Sequence, residues 1–170
     1  VEQGEASTAA VTSALDAAGT ITGLEAVSLS LAVPWPLSLV LTPASLSRYT
    51  LIHRYVVLLR DVLRRFEALP RRERERGRGR EWRGGGMGDV LSVHTTRLHA
   101  TLAALDRHVH HGTLDPLWAQ LAERACEAEA VSAVTVAHDD FLGTALRSLF
   151  LTQPSLFRRL GTLIGCGGVW

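Results

Sequence analysis

No lysine and no asparagine occur among the 170 residues, and all 18 basic side chains are arginine. That pattern reads as the codon bias of a GC-rich genome, not as arginine-specific chemistry. Seventeen acidic residues leave a formal net charge of +1. No field of one sign therefore points to nucleic acid or to a membrane surface. Only two cysteines occur, Cys126 and Cys166. They stand far apart and neither has a CxxC partner. This disfavours a zinc centre and a secreted disulfide framework, so reduced thiols and a cytosolic compartment are expected. Long apolar runs are missing too. The longest, Val27 to Leu41, is short and broken by prolines, too little to span a bilayer. The acidic start Val1-Glu2-Gln3-Gly4-Glu5 does not read as a signal peptide. The missing initiator Met, with the end at Gly165-Cys166-Gly167-Gly168-Val169-Trp170, suggests a piece of a longer protein.

What is present is 46% hydrophobic and 21% charged, an ordinary balance for one globular domain. Residues 1–22, rich in Ala, Ser, Thr and Gly, read as a poorly ordered lead-in. Leu29, Leu31 and Val33 alternate with small or polar residues, a short strand-like or extended pattern. Val33-Pro34-Trp35-Pro36-Leu37 follows. Two prolines around a tryptophan make a stiff, extended strap, because proline fixes its own φ and biases the residue before it. Thr42-Pro43 then reads as a helix start, with Thr as N-cap and Pro at the first helical position.

From Pro43 to about Leu69 the apolar residues Leu46, Tyr49, Ile52, Tyr55, Leu59, Val62, Phe66 and Leu69 fall at helical spacing. Arg48, Arg54, Asp61 and Arg65 occupy the other face. Pro70 is expected to end this helix. The run Arg71 to Arg80 and Gly84-Gly85-Gly86 read as a disordered Arg/Gly-rich linker over about 70–88. Asp89 can cap a second helix reaching about His111, with a stripe of Leu91, Leu98, Leu102, Leu105 and Val109 and a stop at Gly112. Asp115-Pro116 reads as the cap and first position of a third, burying Leu117, Trp118, Leu121 and Ala125. A fourth runs from about Ala130 to Leu151, with Val131, Val134, His138, Phe141, Ala145 and Leu149 on one face. Gln153-Pro154 opens a fifth, with Leu156, Phe157, Leu160, Leu163 and Ile164. The expected fold is all-α: a bundle of about five helices behind a short extended strap.

No catalytic set emerges. His108, His110 and His111 cluster at a helix end, with His94 and His99 upstream, but no i, i+4 histidine pair forms there. A polar helix terminus explains them better than a metal, although a bundle binding a metal or small ligand through its histidines is the alternative function. His138 lies on an apolar stripe and should be partly buried and hydrogen-bonded. Asp139 and Asp140 are neighbours on a helix, so they point apart and do not share a proton. The Arg/Glu/Gly run could bind RNA, but Glu73, Glu75 and Glu81 dilute it, and a solvated linker is the better reading. Gly84-Gly85-Gly86-Met87-Gly88-Asp89 lacks the Gly-Lys-Ser/Thr ending of a phosphate loop. Trp118 reads as core. Trp35 is either a core plug or an interface residue, with the core preferred.

Several landmarks occur in order. Val33-Pro34-Trp35-Pro36-Leu37-Ser38-Leu39-Val40 and then Tyr49, Ile52 and Arg54 resemble the start of the C-terminal domain of the gamma-tubulin complex component family. Leu114-Asp115-Pro116-Leu117-Trp118 and Ala137-His138-Asp139-Asp140-Phe141-Leu142 resemble its later landmarks. Leu151-Thr152-Gln153-Pro154-Ser155-Leu156 is most similar to the component 2 branch, and the strap is also similar to component 4. The resemblance covers about residues 23–166, leaving 167–170 as a tail. The chain departs from the family in its histidines at 108–111 and in Pro70 with the Arg-rich run. The resemblance implies a non-enzymatic helical domain without cofactors that binds gamma-tubulin and works beside other complex components. It implies microtubule nucleation at the centrosome or spindle pole and a place in the cytoplasm, cytoskeleton and microtubule organising centre, with no nucleic acid or membrane partner. The gamma-tubulin-binding candidates are Trp35 and Leu37 on the strap, Arg48 on the first helix, and Asp139 and Asp140.

Overall fold

The computed structural model describes residues 28–77 and 87–168. The lead-in 1–22 and residues 78–86 of the expected linker lie outside the described residues. Five α-helices follow one another: α1 Pro43–Gly77, α2 Met87–Arg107, α3 Asp115–Glu127, α4 Val131–Ser148 and α5 Pro154–Gly168. A π-helical segment, His108–Leu114, joins α2 to α3 without a break. No strand occurs among the described residues. The fold is therefore all-α.

The 35-residue α1, about 52 Å long at 1.5 Å per residue, is the central post. It packs against α2, α4 and α5, while α3 lies outside, against α4 and the π segment. The core lines up Leu51, Ile52, Tyr55, Leu58, Leu59, Val62 and Phe66 of α1 with Leu102, Val109, Phe141, Leu142, Ala145, Leu149, Phe157 and Ile164. Most of the stripe expected on α1 is thus buried, because apolar residues at steps of three and four share one face.

The start of α1 follows its sequence signal. Thr42 Oγ1 accepts from the Ser45 backbone N–H at 3.2 Å, and Ser45 Oγ accepts from the Thr42 N–H at 3.1 Å. This is a reciprocal capping box with serine in the usual place of Glu, and it satisfies two otherwise orphaned donors. Ser45 is buried by the arrangement.

Four expected stops or starts give way. Pro70 does not end α1, which continues to Gly77. Proline forfeits its bond to the carbonyl four residues back. Residues 71–76 are all Arg or Glu, good helix formers that carry the helix past that defect. Asp89 lies inside the first turn of α2, which begins at Met87. Gly112 does not end α2 either. The chain widens to π geometry, and the Asp115 N–H bonds the His110 carbonyl five residues back. The widened turn accommodates Pro116, which has no N–H to give the preceding turn. Asp115 consequently is not an N-cap: Leu114, itself helical, precedes it without a side-chain cap bond. Gly112 serves the close approach of His108, whose Nδ1 would lie 3.2 Å from an added Cβ.

At the end of α4 the Phe150 N–H bonds the Arg147 carbonyl and the Leu151 N–H bonds that of Leu146, both at 3.0 Å. This is the Schellman pattern, with Phe150 rather than glycine in the left-handed position at φ 61°. The ring of Phe150 stacks on His108, centroids 6.1 Å apart.

Candidate docking surface

The strap contains no strand. Residues 28–34 are irregular, and the Leu29 N–H reaches Thr50 Oγ1 at 3.3 Å. After the cis Trp35–Pro36 peptide, a single 3₁₀ turn, Leu37–Leu39, leads towards α1. The strap thus holds a 3₁₀ turn in place of the expected extended run. Its apolar side chains face solvent: Trp35 is 80% exposed, and Leu31, Leu37 and Leu39 are exposed as well. Trp35 is not a core plug. It takes no part in the buried cluster. Large apolar groups held open to water on a short segment are the composition of a contact surface.

Trp118 also departs from expectation. It is 59% exposed and rests its edge against Phe141, centroids 6.0 Å apart. Phe141 occupies the core position, and α3, which buries no residue fully, lies one layer out. Val131 is exposed at the first turn of α4.

His138-Asp139-Asp140 ties three helices together. The buried His138 places Nε2 3.0 Å from the Tyr49 hydroxyl of α1. Arg48 Nη1 of α1 donates to Asp139 Oδ1 at 3.1 Å. Arg124 Nη2 of α3 donates to Asp140 Oδ2 at 3.2 Å. Neighbours on a helix point about 100° apart, which is why adjacent carboxylates reach different partners. Both ion pairs are solvent-exposed, so each contributes little to stability. Burial holds the His138 pKa below its ordinary value, Asp139 opposing and Arg48 reinforcing that shift. Burial also raises the Tyr49 pKa. Of the candidate residues, Trp35 and Leu37 share the exposed strap, Arg48 and Asp139 meet each other, and Asp140 turns to α3.

The clustered histidines do not converge. His110 Nδ1 lies 3.2 Å from Asp106 Oδ1, His111 Nδ1 lies 2.8 Å from Asp115 Oδ2, and His108 stacks on Phe150. Among the described residues no group of three His, Cys, Asp or Glu side chains is placed to hold a metal ion.

Residues 3–166 match the family described as gamma tubulin complex component C-terminal. The chain belongs to this family. Among its relatives, gamma-tubulin complex component 2 of Arabidopsis thaliana is 29% identical over 153 residues, 84% of this chain and 21% of the relative. Gamma-tubulin complex component 2 of Mus musculus is 24% identical over 156 residues, 85% of this chain and 16% of the relative. The spindle pole body component alp4 of Schizosaccharomyces pombe is 26% identical over 145 residues, 81% of this chain and 18% of the relative. The chain thus spans about a fifth of the length of these relatives. The names of the Arabidopsis thaliana and Mus musculus relatives accord with the component 2 likeness read from the residues around Pro154.

Sequence reasoning missed Arg124, whose partner lies sixteen positions away with no local signal, and the second role of Tyr49. Tyr49 was legible as a member of the α1 stripe and as a family landmark, and its hydroxyl, like that of Tyr55, gave no sign of its partner.

Proposed function

We propose that this chain is a gamma-tubulin-binding module of a gamma-tubulin complex component. In this reading it works by surface complementarity, without catalysis or a cofactor, and supports microtubule nucleation beside other complex components at a microtubule organising centre. The observation that carries the reading is the family match over residues 3–166. The exposed strap supports it, because Trp35 and Leu37 offer apolar contact area at no cost to the core. Tryptophan is enriched among residues that dominate binding energy. Arg48, Asp139 and Asp140 lie on the surface near the strap-bearing end of α1 and would supply the polar rim.

The test is co-precipitation of purified gamma-tubulin with the purified 170-residue chain. Retention of gamma-tubulin, reduced by Trp35→Ala, is the expected result. A folded chain that retains none would overturn the reading. The alternative of a histidine-bound metal draws no support from this geometry, since His110 and His111 face carboxylates on their own helical turns.

A further inference from the structure

We propose that the Tyr49–His138 contact is a pH-sensitive latch that holds the strap-bearing end of α1 onto α4. His138 is buried, its Nε2 faces the Tyr49 hydroxyl at 3.0 Å, and its Nδ1 is buried without a hydrogen-bond partner. A neutral imidazole has one donor and one acceptor nitrogen, so either tautomer satisfies the Tyr49 contact. A charged imidazolium has two donors. Nε2–H must then donate to the tyrosine oxygen, and Nδ1–H becomes a buried, charged donor with nothing to accept it. Such a group is costly, and the closed contact favours the neutral ring.

The surrounding charges act in opposite directions. Asp139 on α4 favours the charged ring, and Arg48 on α1 disfavours it while pairing with that same Asp139. Asp140 is engaged by Arg124 of α3. Desolvation is the largest influence on the ring. Tyr49 itself stays protonated, since burial raises its pKa. The sign follows from linkage. The closed state depresses the His138 pKa, so closure is fully stable above the ordinary histidine range. It weakens as pH falls below about 6.5 and on through the depressed value. Each unit of depression corresponds to about a tenfold shift towards the open state once the ring is charged.

What the latch holds follows from the chain. Tyr49 stands in the second turn of α1, next to Thr50, whose hydroxyl meets the strap at Leu29, and close to the Thr42–Ser45 capping box. Opening would loosen these turns and the strap attached to them, leaving the core centred on Leu59 in place.

Amide hydrogen exchange of the full chain, corrected for intrinsic rates and followed from pH 7.5 down to 5.0, tests the proposal. Protection in the first turns of α1 should fall in step with charging of His138, read from its ring proton shifts. His138→Gln, whose amide can still meet Tyr49 but does not titrate, should keep that protection at low pH. Tyr49→Phe, which removes the hydroxyl and leaves the burial of the ring, should lower protection of these turns already at pH 7.5. Identical pH dependence in the wild type and His138→Gln would overturn the latch. So would unchanged protection of these turns at pH 7.5 in Tyr49→Phe, a variant that keeps the ring and is expected to fold. Because the strap is also the surface proposed to meet gamma-tubulin, affinity for gamma-tubulin should weaken with the latch. That consequence rests on the preceding reading, whereas the exchange measurement does not.

Discussion

Two apolar stretches adjoin in this chain and meet opposite fates. Leu51 to Phe66 forms a helical stripe and disappears into the core, whereas Leu31 to Leu39 is as apolar and remains in water. The difference is geometric. On α1 a spacing of three and four stacks side chains on one face, and neighbouring helices close over that face. The strap turns at Trp35–Pro36 and Leu37–Leu39, and among the described residues no second layer covers its exposed apolar side chains. Apolar content alone does not decide burial; period does. A stretch with content but no period is available to another molecule.

The comparison can be broken at several points. The largest effect belongs to Leu59→Ala. Leu59 is fully buried, and leucine truncation in a packed core costs about 2–5 kcal/mol, visible as a lower denaturation midpoint. Trp35→Ala should do the reverse. Stability should stay within about 0.5 kcal/mol of wild type, since the ring is exposed. Affinity for gamma-tubulin should fall by about 2 kcal/mol in a titration. Tyr49→Phe keeps the apolar area and removes one hydrogen bond, so a loss of about 1 kcal/mol in chemical denaturation is expected. Asp139→Asn and Arg124→Ala each break an exposed ion pair and should cost less than about 1 kcal/mol, fading further in high salt.

The fold was legible where local chemistry and packing agreed. Thr42-Pro43 capped α1 as read, and the stripes through Ile52, Leu102 and Phe141 went to the core. The reading failed where punctuation was overruled. Pro70 and Gly112 are helix breakers by propensity, but a following Arg/Glu run and a switch to π geometry carried the helix through. Trp118 lies at core spacing on a helix that reached only the second layer, a fact set by tertiary order and invisible locally. In the candidate site, the burial and bonding of His138 followed from its stripe. The partners of Asp139 and Asp140 did not, because Arg48 and Arg124 meet them only once α1, α3 and α4 are assembled.

The most direct measurement is a binding titration of gamma-tubulin against the wild-type chain and the Trp35→Ala/Leu37→Ala double variant, with thermal melts of both. The account predicts saturable binding by the wild type, at least about a tenfold weaker affinity for the double variant, and superimposable melts. Equal affinity for the two chains, or no binding by a wild type shown to be folded, would contradict it.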